Sequence, residues 1–165
     1  MIVQVPKLVI FDWDGTLMDS VGQIVESLLA AAAQYEIDLT ADAAANIIGL
    51  GLPEAMAVLF PQHPHLHNDI QAAYAAHYVP RSQQTRLFEG VEALLQQLQQ
   101  QCVLLAVATG KSRAGLDRVL ADSGIADYFS VTRCASETRS KPHPQMLQEI
   151  LDVTGIAAAD AVMVG

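Results

Sequence analysis

The chain has 165 residues, 52% of them apolar and only 16% charged, with a formal net charge of −9. That length suits one domain or a core with a modest insert, and the apolar content excludes a disordered acidic tail. With no long basic face and no apolar run near the ~18 residues of a membrane span, a mainly electrostatic nucleic-acid binder and a membrane-spanning chain are excluded.

The charge is unevenly placed. Leu8 to Pro80 holds nine acidic residues and no Lys or Arg, whereas Arg81 to Gly165 holds eight bases and nine acids. Such a shift suggests two structural units, the plainer alternative being an acidic helical face that aids solubility.

In chain order, Leu8-Val9-Ile10-Phe11 is an apolar run ending at Asp12, with Gly15 just beyond. It predicts a buried parallel strand entering a turn. Ile24, Val25, Leu28, Leu29 and Ala32 recur at helical spacing and predict a helix to about Tyr35. Thr40 can cap a second helix through Ile47-Ile48, closed by Gly49 and Gly51. Pro53 suits the first position of a third, Glu54 to Phe60, and a fourth is expected from about Asn68 to Tyr78.

The rhythm then changes. Val91, Leu94, Leu95 and Leu98 form an i, i+3, i+4, i+7 stripe, with glutamines as its solvated face. Cys102 to Ala108 reads as a second strand, Ala114 to Ser123 as a helix stopped by Gly124, and Val131 to Cys134 as a third strand. A helix over Pro144 to Asp152 and a strand over Ala161 to Val164 follow. Alternating strand and helix predicts an α/β, Rossmann-like parallel sheet, interrupted after its first strand by four helices. The expected division is a core of residues 1–18 and 82–165, with a helical unit over 19–81.

In open α/β sheets, sites form beyond the carboxyl ends of the strands. Asp12 and Asp14 follow the first strand, Thr109 the second and Lys141 the third. Two carboxylates, a hydroxyl and an ammonium at one edge suit phosphoryl transfer. Mg²⁺ takes carboxylate oxygen, and a phosphate needs cations and N–H donors. Singly, each has a plainer reading: exposed acids, a turn threonine, a surface lysine.

Phe11-Asp12-Trp13-Asp14-Gly15-Thr16-Leu17 closely resembles the first motif of the haloacid dehalogenase superfamily. Ala108-Thr109-Gly110-Lys111 resembles its second, and Lys141-Pro142-His143-Pro144 its third. Leu87-Phe88-Glu89-Gly90-Val91 resembles the segment that returns the chain from a helical cap to the core. The branch it resembles most contains the phosphoglycolate-phosphatase-like and beta-phosphoglucomutase-like proteins.

The resemblance implies a phosphatase acting on a small phosphorylated metabolite. It makes Asp12 the nucleophile and Asp14 the acid and base. Thr109 would hold a phosphoryl oxygen, and Lys141 would offset negative charge. Mg²⁺ would bind the Asp12 carboxylate and the Asp14 main-chain carbonyl. Gly15, Thr16, Gly110, Lys111 and Gly49 are the expected substrate contacts. Lys141 and a cation beside Asp12 favour its ionised form, leaving Asp14, away from them, to carry a proton. The presence of Asp14 favours phosphate over halide substrates.

One expectation concerns the chain's last strand. The family's fourth motif places an acidic metal ligand just after a strand like Val162-Met163-Val164-Gly165, where this sequence stops. The resemblance therefore implies a core incomplete at this end, impaired activity and a final strand without a neighbour.

Gly49-Leu50-Gly51-Leu52-Pro53-Glu54-Ala55 resembles the specificity segment of phosphatase-type caps. Residues 19–80 contain no Lys or Arg to hold a second phosphate, which favours hydrolase over phosphomutase. The same lack predicts activity that falls as the distal end of the substrate becomes more anionic. The alternatives are a phosphomutase or a non-catalytic interaction protein of this fold.

Other features read as background. Gly110-Lys111-Ser112 imitates the end of a P-loop, but the earlier glycine position is Leu105. Lys111 and Arg113 lie either near the phosphate or on the ordinary surface. His63, His65 and His67 read as a polar loop, Cys102 and Cys134 as core, and Trp13 as packing. Asp12 and Asp14 come too early for a signal peptide. The expectation is a cytoplasmic monomer or weak homo-oligomer.

Overall fold

A computed structural model describes residues 5–165; residues 1–4 of the expected core segment lie outside the described residues. Four parallel strands form one sheet: β1 (Leu8–Phe11), β2 (Leu104–Thr109), β3 (Val131–Cys134) and β4 (Ala161–Val164), in the order β3-β2-β1-β4. Leu8 pairs with Leu104 on one side and with Ala161 on the other, so β1 is central.

Alternation along the strands sends side chains to two cores. Val9, Phe11, Leu105 and Val107 pack on one face with Leu95, Leu116 and Val119. Leu8, Ile10, Ala106 and Ala108 pack on the other with Met146 and Ile150. The helices supplying these partners are α5 (Val91–Gln100), α6 (Arg113–Ser123) and α7 (Gln145–Thr154). Gly124 stops α6 in the left-handed conformation, where the absence of Cβ removes the steric cost.

Between β1 and α5 lie α1 (Val21–Ala33), α2 (Ala41–Asn46), α3 (Leu52–Leu59) and α4 (His67–Ser82). They bury a third cluster around Leu28, Ala44, Met56, Phe60 and Ile70. Thr40 caps α2 by accepting the Ala43 N–H at 3.2 Å.

Several boundaries differ from expectation: α3 begins at Leu52 rather than Glu54 and α7 extends to Thr154 rather than Asp152. The second helix ends at Asn46, and Ile47 and Ile48 belong to the turn before the Gly49 loop. The fourth runs past Pro80 to Ser82. A helical proline forfeits its bond to the carbonyl four residues back; here Ser82 is buried and its hydroxyl donates to the Val79 carbonyl at 2.8 Å, anchoring the last turn. The second strand starts at Leu104 because α5 ends in a Schellman motif. The N–H of Val103 reaches the Leu98 carbonyl at 3.1 Å, and Cys102 takes the left-handed position at φ 59°. Cys102 is thus exposed rather than in the core. Cys134 is buried as expected, and burial pushes its thiol up to about 12.

Candidate active site

The short β1–α1 connection is folded by its own backbone: the N–H groups of Leu17 and Met18 both donate to the Trp13 carbonyl. Gly15, at φ 74°, makes the reversal, and a Cβ there would press on Val21. Trp13 is driven into the core, fully buried, so its neighbours Asp12 and Asp14 turn the other way along the extended chain.

Asp12 and Lys141, 129 positions apart, form an ion pair at 2.8 Å. The other Asp12 oxygen accepts the Trp13 N–H at 2.7 Å. Asp14 accepts from the buried Ser20 hydroxyl at 2.6 Å and pairs with Lys111 at 3.0 Å. Thr109 is fully buried at the end of β2, its hydroxyl accepting the Lys111 N–H at 3.2 Å. Three strand ends therefore place their polar groups at one edge.

The Gly49–Leu50 loop closes over this edge. A Cβ on Gly49 would lie 3.8 Å from Asp12 Oδ2, and a Cβ on Gly110 would overlap the carbonyl oxygens of Gly49 and Leu50. Ser140 ties the same loop down, accepting the Gly51 N–H at 2.7 Å. Gly15 and Thr16 act in the turn and do not line the adjoining cavity.

That cavity, about 270 Å³, lies between the helical unit and α6. Ile24, Leu28, Ile47 and Leu52 make its wall mainly apolar, while Asp14, Gly49, Gly110, Lys111 and Arg118 also face it. Tyr74 and Tyr78 stack along it, ring centroids 5.4 Å apart.

Two sequence expectations require correction. Asp14 is not free of cations: Lys111 sits on it, close to the Tyr78 hydroxyl at 3.2 Å. Burial alone would lower the Lys111 ammonium, but Asp14 and Tyr78 outweigh it and hold Lys111 above its ordinary value. The cavity is not without cations either, because Lys111 and Arg118 line it from the core side. Lys111 is an expected substrate contact, but a search for cations within 19–80 could not find Arg118, which is supplied by α6. Ser20, Ser140, Tyr78 and Arg118 were also missed, having no motif of their own.

Arg113 is outside the site, bound to Glu137 at 2.8 Å and Asp117 at 3.1 Å. Among the described residues, no cluster of three or more His, Cys, Asp or Glu is placed to hold a metal. The expected polar loop of His63, His65 and His67 is partly helical: His65 lies in a short 3-10 turn over Pro64–Leu66, and His67 opens α4 with its Nε2 2.9 Å from the Phe60 carbonyl. No described helix is long and apolar enough to cross a membrane.

The sequence matches the haloacid dehalogenase-like hydrolases over residues 9–165. It is 34% identical over 149 residues to the tyrosine-protein kinase PtkA of Mycobacterium tuberculosis (strain ATCC 25618 / H37Rv), covering 82% of this chain but 47% of that protein. The chain thus spans about half the length of that relative. A plasmid-borne phosphoglycolate phosphatase of Cupriavidus necator is 33% identical over 170 residues, covering 95% of this chain and 71% of the relative. A candidate phosphoglycolate phosphatase structure from Lactobacillus plantarum superposes with a TM-score of 0.86 at 23% identity, covering 98% of this chain and 78% of that one. The chain belongs to the haloacid dehalogenase-like hydrolase family.

Proposed function

We propose that this chain provides the catalytic site of a Mg²⁺-dependent phosphatase for small phosphorylated metabolites. Residues 19–81 act as a cap over a core of 1–18 and 82–165. The reading rests above all on the Asp12–Lys141 pair at 2.8 Å beneath the Gly49 loop, which sets an ionised carboxylate beside a cation where a phosphoryl group can enter.

The metal site is compatible in kind. The Asp12 carboxylate and Asp14 main-chain carbonyl are hard oxygen donors, and Mg²⁺ is commonly held by one or two carboxylates with substrate phosphate and water. When bound, the ion would neutralise charge on the phosphoryl oxygens.

An Asp12 oxygen attacks phosphorus, and the bond from phosphorus to the ester oxygen breaks. Asp14 protonates the departing oxygen. A water molecule then attacks the aspartyl phosphate, giving its proton to Asp14 and releasing inorganic phosphate and free Asp12. Lys141 steadies the carboxylate and the phosphoryl charge, while the Thr109 hydroxyl and the Gly110 and Lys111 backbone receive phosphoryl oxygens. Lys111, held by Asp14 before substrate arrives, transfers to a phosphoryl oxygen and so frees Asp14 to carry a proton. Ser20 keeps Asp14 aimed.

The setting is a cytoplasmic monomer or weak homo-oligomer. The test is release of inorganic phosphate from a panel of phosphorylated metabolites with Mg²⁺. Asp12→Asn should lower it by at least about 10³-fold, since the nucleophile itself is lost. Undiminished release by that variant refutes the reading, and isomerised sugar phosphate without released phosphate favours the phosphomutase.

A further inference from the structure

The cavity beside Asp14 has a composition that selects among phosphate esters. One side is apolar, built from Ile24, Leu28, Ile47 and Leu52, and the stacked Tyr74 and Tyr78 add a flat aromatic surface. Such a wall gains by receiving carbon rather than a hydrated, hydroxyl-rich group, whose polar atoms would be left without partners.

Its two cations are not equivalent. Lys111 is engaged, at 3.0 Å from Asp14 and 3.2 Å from the Tyr78 hydroxyl. Arg118 is not. Its Nε is buried and lacks a hydrogen-bond partner among the described residues, where no ion pair involves the side chain. Arg118 lies on α6 on the same face as Ala114 and Gly115, and all three line the cavity. Gly115 adds no side chain beside it. Burial pushes the Tyr74 hydroxyl well above its ordinary value, Tyr78 and Asp14 adding to the effect and Arg118 opposing it, so Tyr74 remains a neutral donor. A buried guanidinium N–H without a partner is costly, and an anionic ligand is the natural means of satisfying it.

We propose that Arg118 is a specificity residue: its guanidinium receives a carboxylate at the distal end of a phosphate monoester whose apolar, preferentially planar body lies along Tyr74 and Tyr78. This deepens the phosphatase reading and rests on it. The anchor is on the core side of the cavity, so the acidic helical unit need not supply a cation. It reverses the sequence-based expectation that anionic distal ends are disfavoured.

The test compares phenylphosphonate with 4-carboxyphenylphosphonate, whose P–C bonds resist hydrolysis, by titration calorimetry on this chain with Mg²⁺. A charge-assisted hydrogen bond in a partly desolvated site corresponds to a preference of roughly ten- to a hundredfold for the carboxylated ligand. Arg118→Gln should bring the ratio of affinities close to one, and Arg118→Lys should retain part of it because the charge stays while the planar fork is lost. Equal affinity in the unaltered protein, no measurable binding of either ligand, or a preference that survives in Arg118→Gln overturns the proposal. Turnover of phenyl phosphate is measured separately. Its absence counts against the phosphatase reading, while the calorimetric ratio still judges Arg118.

Discussion

Lys111 and Asp14 are the residues whose chemistry depends most on each other. Both side chains are nearly enclosed, at 10% and 13% exposure, and they meet at 3.0 Å. Removing one partner of a buried ion pair strands the other, so Lys111→Met should lower stability by about 3 kcal/mol. Pairing it with Asp14→Asn should return part of that loss, which urea unfolding of the double-mutant cycle will measure. Because Lys111 is held above its ordinary value, its contribution is present at neutral pH and lost only as the pH rises through that raised value. Sequence reading found both residues but not their contact, because adjacency between a β1 turn and a β2 turn is a property of the sheet order. The expectation that Lys141 acts with Asp12 came from the resemblance, and the structure pairs the two because the connection after β3 returns to the edge where parallel topology gathers the carboxyl ends of the strands.

At the scale of elements, loops and helix ends carry the strain and the ties. Cys102 takes a left-handed backbone position that favours glycine. Cys102→Gly should therefore raise stability by about 1 kcal/mol, read as a higher urea midpoint at unchanged slope. Gly110→Ala should do the reverse, because its Cβ would meet the Gly49 and Leu50 carbonyls; a loss of at least about 2 kcal/mol is expected in the same measurement.

Glu137 links the turn after β3 to α6. The Arg113 guanidinium on Glu137 holds its carboxyl below the usual 4.5, and the Cys134 N–H adds to this. The folded state thus binds that proton less readily than the unfolded chain. Its contribution is present above the ordinary value and lost as the pH falls through the lowered one. Glu137→Gln should flatten the acid limb of the stability–pH curve by about 0.5 kcal/mol, a small effect since the pair is largely solvated.

The elements themselves were largely legible. Apolar runs marked the four strands, and Thr40 and Gly124 marked helix ends. The fourth helix outran its expected end near Tyr78 because buried Ser82 anchors the last turn, and Cys102 misled because a Schellman turn overrides the local preference of a single residue.

In the whole molecule, a parallel sheet gathers Asp12, Asp14, Thr109 and Lys141, and a helical unit reaches across through Gly49 and Gly51 to touch them. The uneven charge along the sequence follows this division: the acidic stretch is the helical unit, with its own buried cluster, and the cations facing the cavity come from the β2–α6 segment of the core. Strand β4 is on the sheet edge, with Val162, Met163 and Val164 each more than one-third exposed. What motif reading could not supply was the cavity's lining, because its walls are drawn from segments far apart in the chain.

The account turns on Asp12 as an acceptor of a tetrahedral phosphoryl group within this enclosure. Fluoroberyllate, which mimics a phosphoryl group on a carboxylate, tests this by ¹⁹F NMR in the presence of Mg²⁺. Protein-bound fluorine resonances that appear with this chain and vanish in Asp12→Asn are predicted. No bound resonance, or one unchanged when Asp12 is replaced, would contradict the account.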